Sequence, residues 1–447
     1  MKKKYVQVGV GGRSYSYSEA IVGTYKESAE LLAICDSNQG RMDVRNRLFT
    51  DPDPSRFPGR EPVPAVKTYT DDKFDKMLKE ENPDTVLVTS MDSTHDDYIC
   101  RAMKAGCDVI TEKPMTINAE KCQKILDTVK STGKSLRVTF NYRYSPVRSL
   151  VKELLMKGTI GTILSVDFFW NLNTDHGADY FRRWHRNKKN SGGLLVHKAT
   201  HHFDLVNWWL NAVPVEVYCQ GHRKFYTPEQ AESYGLTNRA DRCAGCPESA
   251  KCKFYLDLKK SSYHTELYLN QEKYDGYFRD RCVFSSDIDI EDTMNVVVRY
   301  DTDVLMSYAL NAFTPWEGYA ISFNGTKGRL EHSCVESVYI SGDGRVQGEL
   351  IKKGTSVLVH PHFGEQYSVP IPEAKGGHGG GDRILLSDLF SPTPSLDPLK
   401  RAAGVAAGAF SIMTGVAANE SIRTDKPVKI SDLVSGIPLP DYPDSNV

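Results

Sequence analysis

The feature that most constrains this chain is a cluster of glycines placed directly after a short apolar run. Tyr5 to Val10 reads Tyr-Val-Gln-Val-Gly-Val, and Gly9, Gly11 and Gly12 then crowd the point where a strand would turn into a helix. Missing side chains at such a turn let backbone N–H groups approach a phosphate. Further β-branched runs follow at Leu31 to Asp36, Thr85 to Thr89, Asp108 to Thr111 and Leu136 to Asn141, with a weaker one near Val66 to Thr68. Amphipathic stretches separate them. In residues 118–132, Asn118 supplies a cap, Cys122, Ile125, Leu126 and Val129 recur at helical spacing, and Gly133 stops the helix. Alternation of this kind predicts an N-terminal α/β unit, a doubly wound parallel sheet that binds a dinucleotide, over residues 1–142.

At 447 residues the chain is long for one core, so a second domain is expected over residues 143–447. There a short helix near Val147 to Lys157 gives way to long alternating stretches, Gly161 to Asn171 and Asn295 to Asn311. Their period of two suits a large open antiparallel sheet in an α+β domain. An Ala-rich helix follows over Lys400 to Ile422, where Gly408 and Gly415 imply close packing, and Pro427 closes it. The tract from Asp51 to Pro64 is too rich in proline for helix or central strand and reads as a surface loop. An exposed face on an open sheet needs cover, which implies a homo-oligomer.

Lys plus Arg total 56 against 57 Asp plus Glu, so no bulk field draws in nucleic acid or an anionic membrane. No run approaches the roughly 18 apolar residues of a membrane helix, and the N-terminus lacks a secretory core. A cytoplasmic protein acting on a small molecule is expected.

Within the first unit, Asp36 ends the second strand, where a carboxylate can bind ribose hydroxyls and repel a 2′-phosphate. This favours NAD over NADP, although Arg13 and Arg41 could tolerate a phosphate. Ser14 stands where the usual fingerprint has its third glycine. Lys113, in Thr-Glu-Lys-Pro, follows the fourth strong strand, and ligands of open α/β sheets lie outside the carboxyl ends of the strands.

These motifs, with Phe-Asn-Tyr-Arg-Tyr-Ser-Pro at 140–146 and Gly-Gly-Leu-Leu-Val-His-Lys-Ala-Thr-His-His-Phe-Asp at 192–204, together resemble the Gfo/Idh/MocA family of glucose-fructose oxidoreductase and inositol dehydrogenase. The resemblance implies a Rossmann domain and an open-faced α+β domain acting with NAD or NADP on sugars, polyols or glycosides. It puts Lys113 beside substrate and nicotinamide, with Glu112 in the same motif at the cofactor, and Pro114 in a turn shaped by a cis bond. The family's second motif lays its proton-transfer histidine on His201, with Asp204 as an orienting group and His197 where aspartate is common. In a continuous helix His197, His201 and Asp204 would share one face. Removing a hydride from a carbinol requires a base for the hydroxyl proton, and imidazole titrates near working pH. Tyr142, Arg143 and His378, the last within a glycine-rich stretch at 376–382, are expected substrate contacts. His202 has a bland alternative as a core residue, and the spacing of His197 and His201 also suits metal ligands.

Of ten cysteines, six are scattered singly, whereas Cys243, Cys246, Cys252 and Cys282 sit in an inserted segment at about 222–284. Four thiols can hold a structural zinc ion or an iron-sulfur cluster, with unbridged thiols or a disulfide as the alternatives. Three functional readings stay open: NAD-dependent dehydrogenation of a carbohydrate hydroxyl, redox-neutral cleavage of a glycoside through transient oxidation, and a non-catalytic sensor of NAD and sugar.

Overall fold

The structure, a computed structural model, describes residues 2–54, 59–337 and 346–443. Its first half runs β1 (Lys3–Val8), α1 (Tyr15–Val22), β2 (Ala29–Cys35), α2 (Gln39–Thr50), β3 (Lys67–Tyr69), α3 (Phe74–Glu81), β4 (Thr85–Val88), α4 (His95–Lys104), β5 (Asp108–Thr111), α5 (Ala119–Thr132) and β6 (Leu136–Val138). The six strands are parallel, in the order β3-β2-β1-β4-β5-β6. The order reverses between β1 and β4, and the crevice there is where this topology binds ligands. Local chemistry matches the expectation at α5: the Asn118 side chain accepts from the Lys121 N–H at 2.9 Å, and Gly133 ends the helix at a φ of 65°. Residues 55–58 of the proline-rich tract lie outside the described residues.

The second half runs α6 (Pro146–Met156), β7 (Ile163–Asn173), α7 (Thr174–Arg182), α8 (Lys188–Ser191), α9 (Leu194–His197), α10 (Ala199–Leu210), β8 (Pro214–His222), α11 (Pro228–Ser233), α12 (Ser262–Leu267) and α13 (Glu272–Asp275). There follow β9 (Thr293–Tyr300), β10 (Leu305–Thr314), β11 (Gly318–Gly325), β12 (Gly328–Glu336), β13 (Leu350–Pro361), β14 (Tyr367–Ser368), α14 (Gly381–Phe390), α15 (Val405–Thr424) and β15 (Val428–Lys429). The nine strands order as β14-β13-β12-β11-β7-β10-β9-β8-β15.

Two expectations need correction. The sheet is mixed rather than antiparallel, because β7 and β10 pair in parallel. Parallel neighbours need a long crossover, and everything from α7 to β9 supplies it. The alternating run from Asn295 to Asn311 is not one strand but the hairpin of β9 and β10, turning through Asp303 at a φ of 61°. Alternation continues through a tight hairpin, so the pattern alone hides the turn.

Met294, Val296, Val298 and Tyr300 of β9 point into the core, where Trp170, Trp208 and Trp209 are fully buried. α15 covers this face, packing on β8 and α10. The second half also returns to the first: Val138 bridges to Ala403, and Phe390 of α14 meets the Tyr5 ring edge-on at 5.3 Å. The predicted close approach at Gly415 is present, since a Cβ there would lie 2.2 Å from the Leu195 carbonyl oxygen. Overpacking of this kind costs about 1–3 kcal/mol. Gly415→Ala should therefore lower the urea midpoint by a corresponding amount, read by tryptophan fluorescence.

Candidate active site

One cavity of about 730 Å³ runs from the β1–β4 crevice to the layer between the two sheets. At one end stand Gly9, Gly11, Gly12, Arg13, Asp36 and Arg41. Gly9 has a φ of 88° and no room for a Cβ, which would meet the Ser90 backbone nitrogen at 2.4 Å. A Cβ on Gly11 would meet nothing within 4 Å, so the turn is open where a phosphate would approach. Asp36 fixes the turn by accepting the Val10 N–H at 2.6 Å and the Asn38 N–H at 2.8 Å. Burial pushes the Asp36 carboxyl up, and the Arg41 guanidinium 3.8 Å away opposes this. Ser14 takes the third glycine position of the turn. It is buried and donates to the Gly11 carbonyl at 2.6 Å, buttressing the turn from behind rather than lining the cavity.

At the other end are Lys113, Tyr142, His176, His197, Lys198, His201 and His378. The Lys113–Pro114 bond is cis, as the resemblance implied. Lys113 Nζ donates to the His197 carbonyl at 3.3 Å. Burial lowers the pKa of this lysine, with Glu112 and Asp92 working against that. Burial alone would raise the Glu112 carboxyl, yet Arg13 and Lys113 more than offset it. Glu112 accepts from Arg13 Nε at 2.7 Å and from the Tyr17 hydroxyl at 2.6 Å.

The second motif breaks at Lys198. His197 ends α9, and His201 and Asp204 lie on α10, so the three do not share a helical face. His197 Nδ1 lies 2.5 Å from Asp92 Oδ2. Burial raises the Asp92 carboxyl and lowers the His197 imidazole, so both favour their neutral forms. His201 stacks on Tyr142 with ring centroids 4.3 Å apart, and its Nδ1 has no hydrogen-bond partner among the described residues. Burial, then the charges of Lys113 and Lys198, hold this imidazole well below its usual pKa. His202 is a core residue, buried, stacked on Trp170 and bonded through Nδ1 to the Tyr308 hydroxyl at 2.6 Å.

Arg143 and Asp204 are brought together, but away from the cavity. Both are about 1% exposed, and two bonds of 2.7 and 2.6 Å join guanidinium to carboxylate. A bidentate buried pair occupies both groups, so Arg143 is not a substrate contact here and Asp204 does not orient His201. His378 does reach the cavity. Its Nδ1 lies 2.6 Å from Asp382, which also takes hydrogen bonds from Arg13 and Asn141. The glycines around it allow close packing, since a Cβ on Gly381 would lie 2.3 Å from the Asn141 carbonyl oxygen.

Several groups escaped the sequence reading. Asp92 follows β4 at the crevice, and the rule that ligands gather at strand carboxyl ends would have found it. Lys198 lies inside the second motif, which assigns it no role. It points into the cavity, donates to the Tyr142 hydroxyl at 3.2 Å, and burial lowers its pKa to about 8. His176, placed by Glu317 at 2.9 Å, carries no motif. The inserted segment contributes Tyr268, Asp275 and Tyr277 to the Asp36 end. Among the described residues no three His, Cys, Asp or Glu side chains converge tightly enough to hold an ion as they stand, and this includes His197 with His201 and the four inserted cysteines. No helix among them is long and apolar enough to cross a membrane.

A dinucleotide crevice joined to a pocket of buried lysines and neutral imidazoles defines a nucleotide-dependent oxidoreductase. The chain belongs to the Gfo/Idh/MocA oxidoreductase family: residues 3–140 match its "NAD-binding Rossmann fold" and residues 152–430 its "C-terminal alpha/beta domain". It is 36% identical over 444 residues to "Putative oxidoreductase YteT" of Bacillus subtilis (strain 168), covering 96% of this chain and 98% of that protein. It is 24% identical to "Glycosyl hydrolase family 109 protein 1" of Shewanella sp. (strain MR-4), covering 85% and 74%. The same fold occurs in the WlbA dehydrogenase of Chromobacterium violaceum, solved with NADH and UDP-GlcNAcA, at a TM-score of 0.61, 17% identity and 96% coverage of each chain.

Removing one member of a buried ion pair costs about 3–5 kcal/mol, whereas replacing both with apolar groups is often neutral. Asp204→Ala should therefore destabilise strongly, and Arg143→Met with Asp204→Leu should recover most of the loss in chemical denaturation. NAD affinity of the double variant should stay within about threefold of wild type, because neither side chain lines the cavity.

Proposed function

We propose that this protein oxidises a hydroxyl-bearing carbon of a sugar, polyol or glycoside with NAD, and that His201 takes the hydroxyl proton. The observation that carries the reading is the cavity joining Gly11 and Asp36 to the His201 imidazole, which burial and the charges of Lys113 and Lys198 keep neutral. Gly9, Gly11, Gly12, Arg13, Asp36, Glu112 and Lys113 would hold the dinucleotide, whose chemistry is to accept a hydride. Arg41 is engaged by Asp275 at 2.8 Å as well as by Asp36, which leaves it poorly placed for a 2′-phosphate and favours NAD over NADP. Lys113 and Lys198 donate hydrogen bonds to the substrate oxygen and stabilise the negative charge that grows as the proton leaves. Tyr142 is a donor rather than a base, because burial, then Glu336, pushes its phenol well above the usual range. His378, held by Asp382, and Tyr142 would orient the substrate.

Lys113→Ala and His201→Ala should each lower kcat by about 10²–10⁴-fold, the usual range for lost acid–base groups, with NAD binding largely kept. Near-normal turnover in either variant removes that residue from the mechanism. Lys198 is charged below about pH 8, so its support fades as pH rises through that value. A falling limb of kcat/KM above about pH 8 should disappear in Lys198→Met.

A second reading is favoured by the inserted segment. Asn38 Nδ2 donates to the Gln271 carbonyl at 3.0 Å, and Tyr268 and Tyr277 close over Arg41. Such cover suits a dinucleotide kept through many turnovers, as redox-neutral glycoside cleavage requires. A panel of sugars and glycosides separates the readings: reduced cofactor marks net oxidation, whereas aglycone release without added NAD marks the redox-neutral route. Binding without either marks a sensor. Phe169, Val297 and Leu305 share the open face of the mixed sheet, which we read as the contact of a homo-oligomer, and light scattering should give a mass above one chain.

A further inference from the structure

We propose that Cys243, Cys246, Cys252 and Cys282 bind a thiophilic metal centre, either a tetrathiolate zinc ion or an iron-sulfur cluster, at the root of the segment that covers the Asp36 end of the cavity. Cys243, Cys246 and Cys252 are close neighbours in sequence and Cys282 lies well beyond them, yet all four line one small apolar pocket with Phe254 and Phe284. A β-bridge between Arg242 and Arg281 joins the two stretches that carry Cys243 and Cys282. Across it the Cys243 N–H donates to the Asp280 carbonyl at 2.8 Å and the Cys282 N–H to the Asp241 carbonyl at 2.9 Å.

The backbone is aimed at sulfur. Leu256 N–H donates to Cys243 Sγ at 3.3 Å and Ala240 N–H to Cys246 Sγ at 3.5 Å. Amide donors of this kind are what a metal-bound thiolate accepts, although in the free thiols of Cys243 and Cys252 burial outweighs them and pushes both up. Cys243 to Cys246 form a turn, closed by the Cys246 N–H on the Cys243 carbonyl at 3.1 Å with Gly245 at a φ of 78°. All four thiols are unbridged, so no disulfide competes for them. They line one pocket without converging on an ion-sized point, so binding requires the side chains to turn inward.

The segment has reason to need a staple. Between β8 and β9 it holds α11, α12 and α13, of six, six and four residues, two 3-10 turns at Leu258–Lys260 and Leu269–Gln271, and no strand. Helices this short are not stable on their own. A centre at its root would fix the part that reaches Gln271 and Asp275.

The test is metal and sulfide analysis of the full chain purified anaerobically under reducing conditions. The expected result is about one zinc, or about four iron with matching sulfide and visible absorbance, per chain. Cys246→Ser and Cys282→Ser should each lower bound metal at least about tenfold. Because a variant can misfold, the wild-type protein is also treated with a chelator: cleavage within residues 223–292 by a protease should accelerate, and reloading with zinc, or with iron and sulfide, should reverse it. Substoichiometric zinc and iron in the reduced wild type, with all four thiols open to a thiol reagent, overturns the proposal. So does full metal retention in both serine variants.

Discussion

The placement of the reacting groups depends on one charged junction, in which Arg13 bridges Glu112 at 2.7 Å and Asp382 at 3.0 Å. It ties together three segments that are remote in sequence: the glycine turn, the end of β5 and the first turn of α14. Both acids are charged in it. Burial works against each, but Arg13 with Lys113 holds Glu112 low, and Arg13 with His378 holds Asp382 well below the carboxylate range. Glu112 sets the backbone of Lys113 by accepting its N–H at 3.0 Å, while Asp382 fixes His378 and Asn141. A lysine and a histidine from opposite halves of the chain are thus referred to one arginine.

Around that junction, desolvation decides protonation. His185, His197, His201 and His202 are all held well below the usual imidazole pKa, with burial as the first cause in each. Lysine charges add to this effect. A neutral imidazole costs less to bury than a cation and can still accept a proton, which a carbinol oxidation requires. The same low-dielectric surroundings strengthen any hydrogen bond that Lys113 or Lys198 gives to a substrate oxygen. Stability and chemistry draw here on a single cause.

Much of this was legible in the sequence because it rests on local rules. Glycines at a strand-to-helix turn, an asparagine cap and the run of β-branched strands each follow from backbone sterics, and they located Gly9, Asp36, α5 and the parallel sheet. Lys113 and His201 were readable through motifs. What escaped depends on contacts between distant residues. Nothing near Arg143 announces that its carboxylate partner is Asp204, and a histidine pair four apart looks continuous until a break at Lys198 separates the helices. His176 is defined by Glu317, far along the chain. The hairpin between β9 and β10 was hidden because its turn has no Gly or Pro. The role of the inserted segment at the nucleotide end was invisible too, since Arg41 and Asp275 meet only after the chain folds back.

The central claim is that one cavity joins a hydroxyl-bearing carbon, a hydride acceptor and His201. It is tested most directly by following label from carbon-deuterated sugars and glycosides into the dinucleotide, with acid quench and mass analysis. The account predicts reduced nicotinamide carrying one deuterium in the wild type, lasting or transient, and labelling slowed by about 10²–10⁴-fold in His201→Ala with NAD still bound. Reduced nicotinamide without deuterium, or equal labelling in the His201 variant, would contradict it.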